Sequence, residues 1–169
     1  MRMIGPPSAT KAHVSSALTG LAPTPLFVNE MFPALWDAGL HSCVDPVGLL
    51  AQSYKETGGG AFGGKVKPKF YNTAGIKVRH NDLFPGITDD DHPLAHQMFP
   101  NWEVGAAAHA QHVRAYAGCP ITGELIVDPR YVWVIGKFTL TDWSQLGGKW
   151  APSSTYGVEI EQLMQELIS

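Results

Sequence analysis

The sequence predicts an α+β domain in which a mainly helical body is interrupted by a small β-hairpin lobe. Three observations predict it. A helix with clear start and stop signals occupies the region from Asp45 to Gly58. Residues 61–100 are crowded with Gly, Pro, Asn and Asp and hold only two short candidate strands. An alanine-rich helix and an amphipathic C-terminal helix follow. Helices, then short strands, then helices, without βαβ alternation, is an α+β order. The 169 residues, free of repeats and low-complexity linkers, fit one domain over 1–169.

The elements follow in chain order. Residues 1–9 read as a loose leader. Lys11 to Leu18 form a short helix, closed off by Pro23 and Pro25. Residues 26–40 carry Phe27, Met31 and Leu35 at helical spacing with Pro33 inside, which predicts two short helices or one kinked helix. Asp45 then offers an N-cap and Pro46 suits the first helical position. Val47, Leu50, Ala51 and Tyr54 make the apolar stripe, and Gly58 to Gly60 end the helix. Glu56 falls in its last turn, off the stripe, on the face of Leu49 and Ser53. The candidate strands are "AGIKVR" (74–79) and "LAHQMF" (94–99), joined by the acidic "HNDLFPGITDDDHP". Asn101 caps a helix that Gly118 stops, and its alanines imply close packing. "DPRYVWVIGKF" reads as a strand or as a turn with a buried aromatic run. Val158 to Ile168 form the last helix, with Ile160, Leu163, Met164, Leu167 and Ile168 on one side.

Composition narrows the function. With 44% hydrophobic and 16% charged residues the chain is globular rather than disordered. A net charge of -3 gives no basic footprint for nucleic acid. The two cysteines, Cys43 and Cys119, form no CxxC pair and read as free thiols, with a single long-range bridge as the alternative. "MRMIGPPSAT" has no apolar core of a secretory signal, and no apolar run reaches membrane-spanning length. The expectation is a monomer made in the cytoplasm, without membrane insertion, that acts outside the cell only after release.

Glu56 is the first candidate for chemistry. A carboxylate at a helix C-terminus meets the negative end of the macrodipole, and partial burial among aromatics acts in the same direction. Both raise its pKa, as a general acid at neutral pH requires. Lys55 points away from it, as helix neighbours do. The plain alternative is a solvated helix-end residue. Asp89, Asp90 and Asp91 are the second candidate, as a partner carboxylate for glycosidic cleavage; a solvated turn or a weak calcium site are the alternatives. His109 and His112 stand i, i+3 on one helix, with His80, His92 and His96 as further nitrogens. A zinc amidase uses such a set, but HExxH is absent, and the competing reading is a pair packed at a helix surface. No metal or cofactor is assigned. "GGGAFGGK" lacks the Ser or Thr that a phosphate loop carries after its lysine, and there is no Gly-x-Ser-x-Gly elbow.

"AQSYKETGGGAF" followed by "KFYNTAGIKV" resembles the glucosaminidase domains of glycoside hydrolase family 73, where a helix ending in Glu leads through small residues into an Asn-x-x-Gly-Ile-Lys strand. "FPNWEVGAAAHAQHVRAYAG", then "DPRYVWV" and "LGGKWAPSSTYGVEI", are similar to the later segments of those domains, in the same order, so the resemblance spans about residues 45–168. It implies a lysozyme-like fold with a substrate cleft between helical body and β-lobe. It implies hydrolysis of peptidoglycan glycan strands after N-acetylglucosamine, in the manner of a phage endolysin or bacterial autolysin. Glu56 matches the general acid and Tyr156 an aromatic near the acetamido group. Tyr71, Asn72, Gly75, Ile76 and Lys77 match the strand flooring the cleft. Asp90 is the best match for the second carboxylate, with Asp91 and Asp89 behind it, although the family commonly has Glu there. Phe62, Tyr71, Trp150 and Tyr156 offer rings to stack on sugar faces, each with core packing as its alternative; for Trp102 core packing is the favoured reading. Muramidase or lytic transglycosylase activity, and a non-catalytic wall-binding module, are the rival functions on the same fold.

Overall fold

The computed structural model describes residues 1–78 and 93–169. Among these the architecture is mainly helical: α1 (Lys11–Leu18), α2 (Phe32–Ser42), α3 (Pro46–Thr57), α4 (Trp102–Tyr116), the single turn α5 (Tyr131–Val134) and α6 (Tyr156–Ile168). Helix α2 packs on α3 and α4, and α6 packs on α1 and α3. This places α3 in the middle of the body. Its residues Val47, Leu49, Leu50 and Ala51 are fully buried, in one core with Leu35, Ala110, Ile160 and Met164.

The capping signals in the sequence act as read. Asp45 accepts from the backbone N–H of Val47 at 3.0 Å, and Pro46 opens α3. Gly58 ends the helix at φ +60°, a conformation that costs glycine little. Asn101 accepts from Val104 N–H at 2.9 Å to start α4. Pro33 forms no kink in mid-helix. It sits in the first turn of α2, directly after a π-helical turn at Phe27–Met31 that takes up the change in pitch. Cys43 and Cys119 are both free.

Three expectations are corrected, and one open alternative is decided. The leader is not loose: Met3 is fully buried, its N–H donates to Thr141 and its carbonyl accepts from Asp45, each at 2.9 Å. Asp45 also receives the backbone N–H and hydroxyl of Ser8, so one carboxylate caps α3 and pins the N-terminal segment. Among the described residues the β-hairpin lobe is not seen. The described parts of its two predicted strands meet only at an isolated antiparallel bridge between Lys77 and His96, and Pro93–Ala95 is a 3-10 turn. The reason is local. Gln97 N–H still donates to Ile76 O at 2.8 Å, but the Asn72 side chain accepts from Ile76 N–H and donates to Gln97 O, both at 2.9 Å, taking the pair of groups that would extend the ladder. Of the two readings of "DPRYVWV", the turn holds: it is a helical turn with Tyr131 and Val134 buried, while Val132 and Trp133 are exposed. His109 and His112 are buried rather than at a helix surface.

Candidate active site

The last turn of α3 brings Glu56 to the edge of a cleft of about 640 Å³. That volume suits a small-ligand or oligomer subsite. On the Glu56 side the lining continues through Gly58, Phe62, Gly64 and Lys65; facing it are Asn72, Gly75, Lys77 and His96, with Trp150 and Pro152 closing one end. Gly75 holds φ +64°, and a Cβ placed there would stand 3.9 Å from Glu56 Oε2. The facing wall therefore runs close to the carboxyl with no side chain between them. A tight approach holds this wall to α4: a Cβ on Gly105 would collide with the carbonyl of Tyr71.

Glu56 is solvent-exposed, yet protein crowds around its carboxyl group. That desolvation holds its pKa above the ordinary carboxylate value, against hydrogen bonds from Tyr156 and Trp150 and the charge of Lys55. The Tyr156 hydroxyl donates to Glu56 Oε1. Burial, then the charge of Glu56 and the bond to it, push the Tyr156 pKa far up, so Tyr156 stays a neutral donor. Lys55 Nζ is drawn to Glu159 at 2.5 Å on α6 and lies over the Tyr156 ring, as its place beside Glu56 on the helix requires.

Behind Tyr156 the polar contacts continue inward. Gln52 Nε2 donates to the Tyr156 oxygen at 3.0 Å, Gln52 Oε1 lies 2.9 Å from His109 Nε2, and His109 Nδ1 lies 3.2 Å from the Thr73 hydroxyl. Gln52, His109 and Thr73 are fully buried. Burial, with a smaller effect of His112, pushes the His109 pKa down to about 3, so the ring is neutral. His112 instead pairs with the buried Asp128 at 2.7 Å. The indole of Trp150 packs against both histidines and Tyr116, with ring centroids 5.9, 4.9 and 5.3 Å away. Trp150 thus packs against the histidines while it also lines the cleft. Among the described residues no three His, Cys, Asp or Glu side chains converge as a metal site.

Of the residues singled out from sequence, Glu56, Phe62, Asn72, Gly75, Lys77 and Trp150 meet at the cleft, with Tyr156 directly behind Glu56. Tyr71 and Ile76 pack into the wall instead. Tyr71 stands edge-on to Trp102 at 5.1 Å, and Ile76 joins a small core with Ala74, Phe99 and Ala108. Trp102 is a core residue, its indole N–H donating to Glu30 at 2.9 Å. Asn72 lines the cleft, but its side chain is spent on shaping the backbone. Asp89, Asp90 and Asp91 lie outside the described residues. The sequence reading missed the roles of His96, whose Nε2 lies 3.1 Å from Lys77 Nζ, and of Gln52. The available signal for Gln52 was a polar residue four positions before Glu56 on an otherwise apolar helix.

No protein-family profile matches the chain, and no solved structure matches it. The chain is 28% identical over 142 residues to a Borreliella burgdorferi protein described as uncharacterized. The alignment covers 84% of this chain and 64% of that relative, so the chain spans about two thirds of the relative's length.

Proposed function

We propose that this chain is a peptidoglycan hydrolase, an endo-β-N-acetylglucosaminidase with Glu56 as its general acid. The observation that carries the reading is the placement of Glu56: a carboxyl of raised pKa, held by Tyr156, at the lip of a cleft whose facing wall is the Asn72–Lys77 segment. The ordered resemblance to family 73 glucosaminidase domains supplies the substrate class, and with it a lysozyme-like body, action at the bacterial cell wall after release, and a monomeric catalyst.

In the proposed reaction Glu56 gives its proton to the glycosidic oxygen as the bond to the anomeric carbon breaks, and the leaving sugar departs as an alcohol. The anomeric carbon is captured by the substrate's own N-acetyl oxygen, or by a water that gives its proton to Asp90. In the first case water later opens the ring formed and returns a proton to Glu56. Trp150 offers an apolar surface to a sugar ring, whereas Phe62 is buried against Trp102 at the cleft margin, and Lys65 and Lys77 give the cleft cationic groups for the acidic substituents of the polymer.

The deciding experiment is Glu56→Gln assayed on purified cell walls. Release of reducing sugar falls by about 10²–10⁴-fold if the acid role holds; near-full activity overturns it. Reducing-end N-acetylglucosamine in the products supports the glucosaminidase, whereas reducing or anhydro-muramic ends assign muramidase or transglycosylase chemistry. Co-sedimentation of the wild type with walls without any release identifies a binding module instead.

A further inference from the structure

The contacts behind Glu56 form one continuous chain from the wall of the cleft through the core and back to the acid. Its members come from four places: Thr73 from the facing wall, His109 from α4, Gln52 from α3 and Tyr156 from the start of α6. The direction of every hydrogen bond is set from one end. Tyr156 has a single hydroxyl hydrogen and donates it to Glu56 Oε1. Its oxygen then accepts from Gln52 Nε2. That orients the Gln52 amide with Oε1 toward His109, so His109 Nε2 carries the ring hydrogen and donates. His109 Nδ1 is left to accept from the Thr73 hydroxyl. All four bonds run toward Glu56. Reversal requires a buried amide to turn over and a buried imidazole to exchange tautomer, and each member is nine-tenths or more buried.

From this geometry we infer that Gln52, His109 and Thr73 are positioning residues that decide which oxygen of Glu56 carries the catalytic proton. With the phenol hydrogen directed at Oε1, a proton on that oxygen would face another hydrogen. Oε1 is thus the oxygen disfavoured for the proton, which leaves Oε2, the oxygen that faces Gly75 across the cleft, to carry it. The Trp150 indole is the other neutral donor beside this carboxyl. When Oε2 gives it up, Oε1 already holds a hydrogen bond, strengthened by the aligned dipoles behind it, and no donor has to turn. The inference rests on the reading of Glu56 as the general acid. The other charged groups near Glu56 are Lys55 on its own helix, and Lys65, Lys77 and His96 around the cleft; the chain passes behind all of them.

The test is the double variant Gln52→Met/His109→Leu, which replaces both hydrogen-bonding partners by apolar groups of similar size and leaves no amide–imidazole pair half satisfied. The single variant His109→Gln, which keeps a donor near the Nε2 position, serves as the rescue. Glu56 titration is followed by carbon NMR of the side-chain carboxyl, and turnover by kcat and KM on soluble glycan fragments. In the double variant the Glu56 midpoint rises by about one pH unit as Tyr156 donates less firmly. In the same variant kcat falls about tenfold while KM stays within about twofold. His109→Gln recovers most of both. A folded double variant with the wild-type midpoint and wild-type kcat overturns the inference. If wild-type protein proves inactive on glycans, the glycosidase reading fails, but the NMR midpoint still decides the chain's effect on Glu56. Should the double variant not fold, Thr73→Val, which removes only the outer hydroxyl, is titrated in its place. A shift in the same direction supports the chain, and no shift overturns it.

Discussion

At the scale of single residues, burial does more to the chemistry here than any ion pair. The pKa of Glu56 is raised because protein crowds around the carboxyl of this otherwise exposed residue, even though Lys55 is its chain neighbour. His109 shows the same effect with opposite sign: burial removes the charged form, and its pKa drops from 6.5 to about 3. A depressed histidine pKa makes the unfolded chain the better proton binder in acid. The stability that His109 confers as a neutral ring is therefore complete above pH 6.5 and is lost as pH falls through the window from 6.5 toward 3. At pH 5 the loss amounts to about 2 kcal/mol relative to neutral pH. His109→Gln has no such proton to take up. Urea unfolding of the two proteins is thus expected to give a stability difference that shifts by that amount in favour of the variant between pH 7.5 and 5. Parallel pH dependences would mean that His109 is hydrated and titrates normally.

At the scale of elements, α3 is specified by its two ends and carries the candidate acid, Glu56, at only one. Asp45 is both cap and anchor: beyond Val47 N–H it holds two groups of Ser8. A simple cap is worth about 1 kcal/mol. Asp45→Ala is expected to cost about 2–3 kcal/mol in denaturant unfolding, because it also strips partners from Ser8. A loss no larger than a cap's would show that water replaces those contacts freely. The caps, the stripe and the glycine stop of α3, like the Asn101 start of α4, were legible because they depend on neighbours within a few residues. Within the described residues the predicted pairing stops at one bridge because the competing interaction is also local but of another kind: the Asn72 side chain takes Ile76 N–H and Gln97 O, which a longer ladder would need. The site was legible in part for the same reason. Glu56, Gly75, Lys77 and Trp150 sit in ordered segments whose resemblance could be read. Gln52, His109 and Thr73 acquire their meaning only when α3, α4 and the wall meet. His109, spaced from His112 like a metal ligand, is hydrogen-bonded to Gln52 and Thr73 inside the core.

At the scale of the whole molecule, the cleft stands between two regions of unequal construction. One is the large core of α1, α2, α3, α4 and α6; the other is a small one, Ala74, Ile76, Phe99 and Ala108, behind the facing wall. The N-terminal segment belongs firmly to the first. Met1 O accepts from Trp143 N–H at 2.9 Å, Arg2 O accepts from the Trp143 indole at 3.1 Å, and the Met3 side chain fills the core. None of these residues lines the cleft. Stability and chemistry should therefore separate when this segment is altered. Met3→Ala leaves a cavity and is expected to lower the unfolding free energy by about 2–5 kcal/mol, with the denaturant m-value unchanged. Turnover per folded molecule, measured on cell walls well below the melting temperature, should stay at the wild-type level. If Met3→Ala instead lowered kcat in protein shown to be folded, the N-terminal segment would be coupled to the geometry of Glu56. The path for that coupling would be Trp143, which a Cβ on Gly48 of α3 would strike and whose carbonyl closely approaches Gly157 at the start of α6, next to Tyr156.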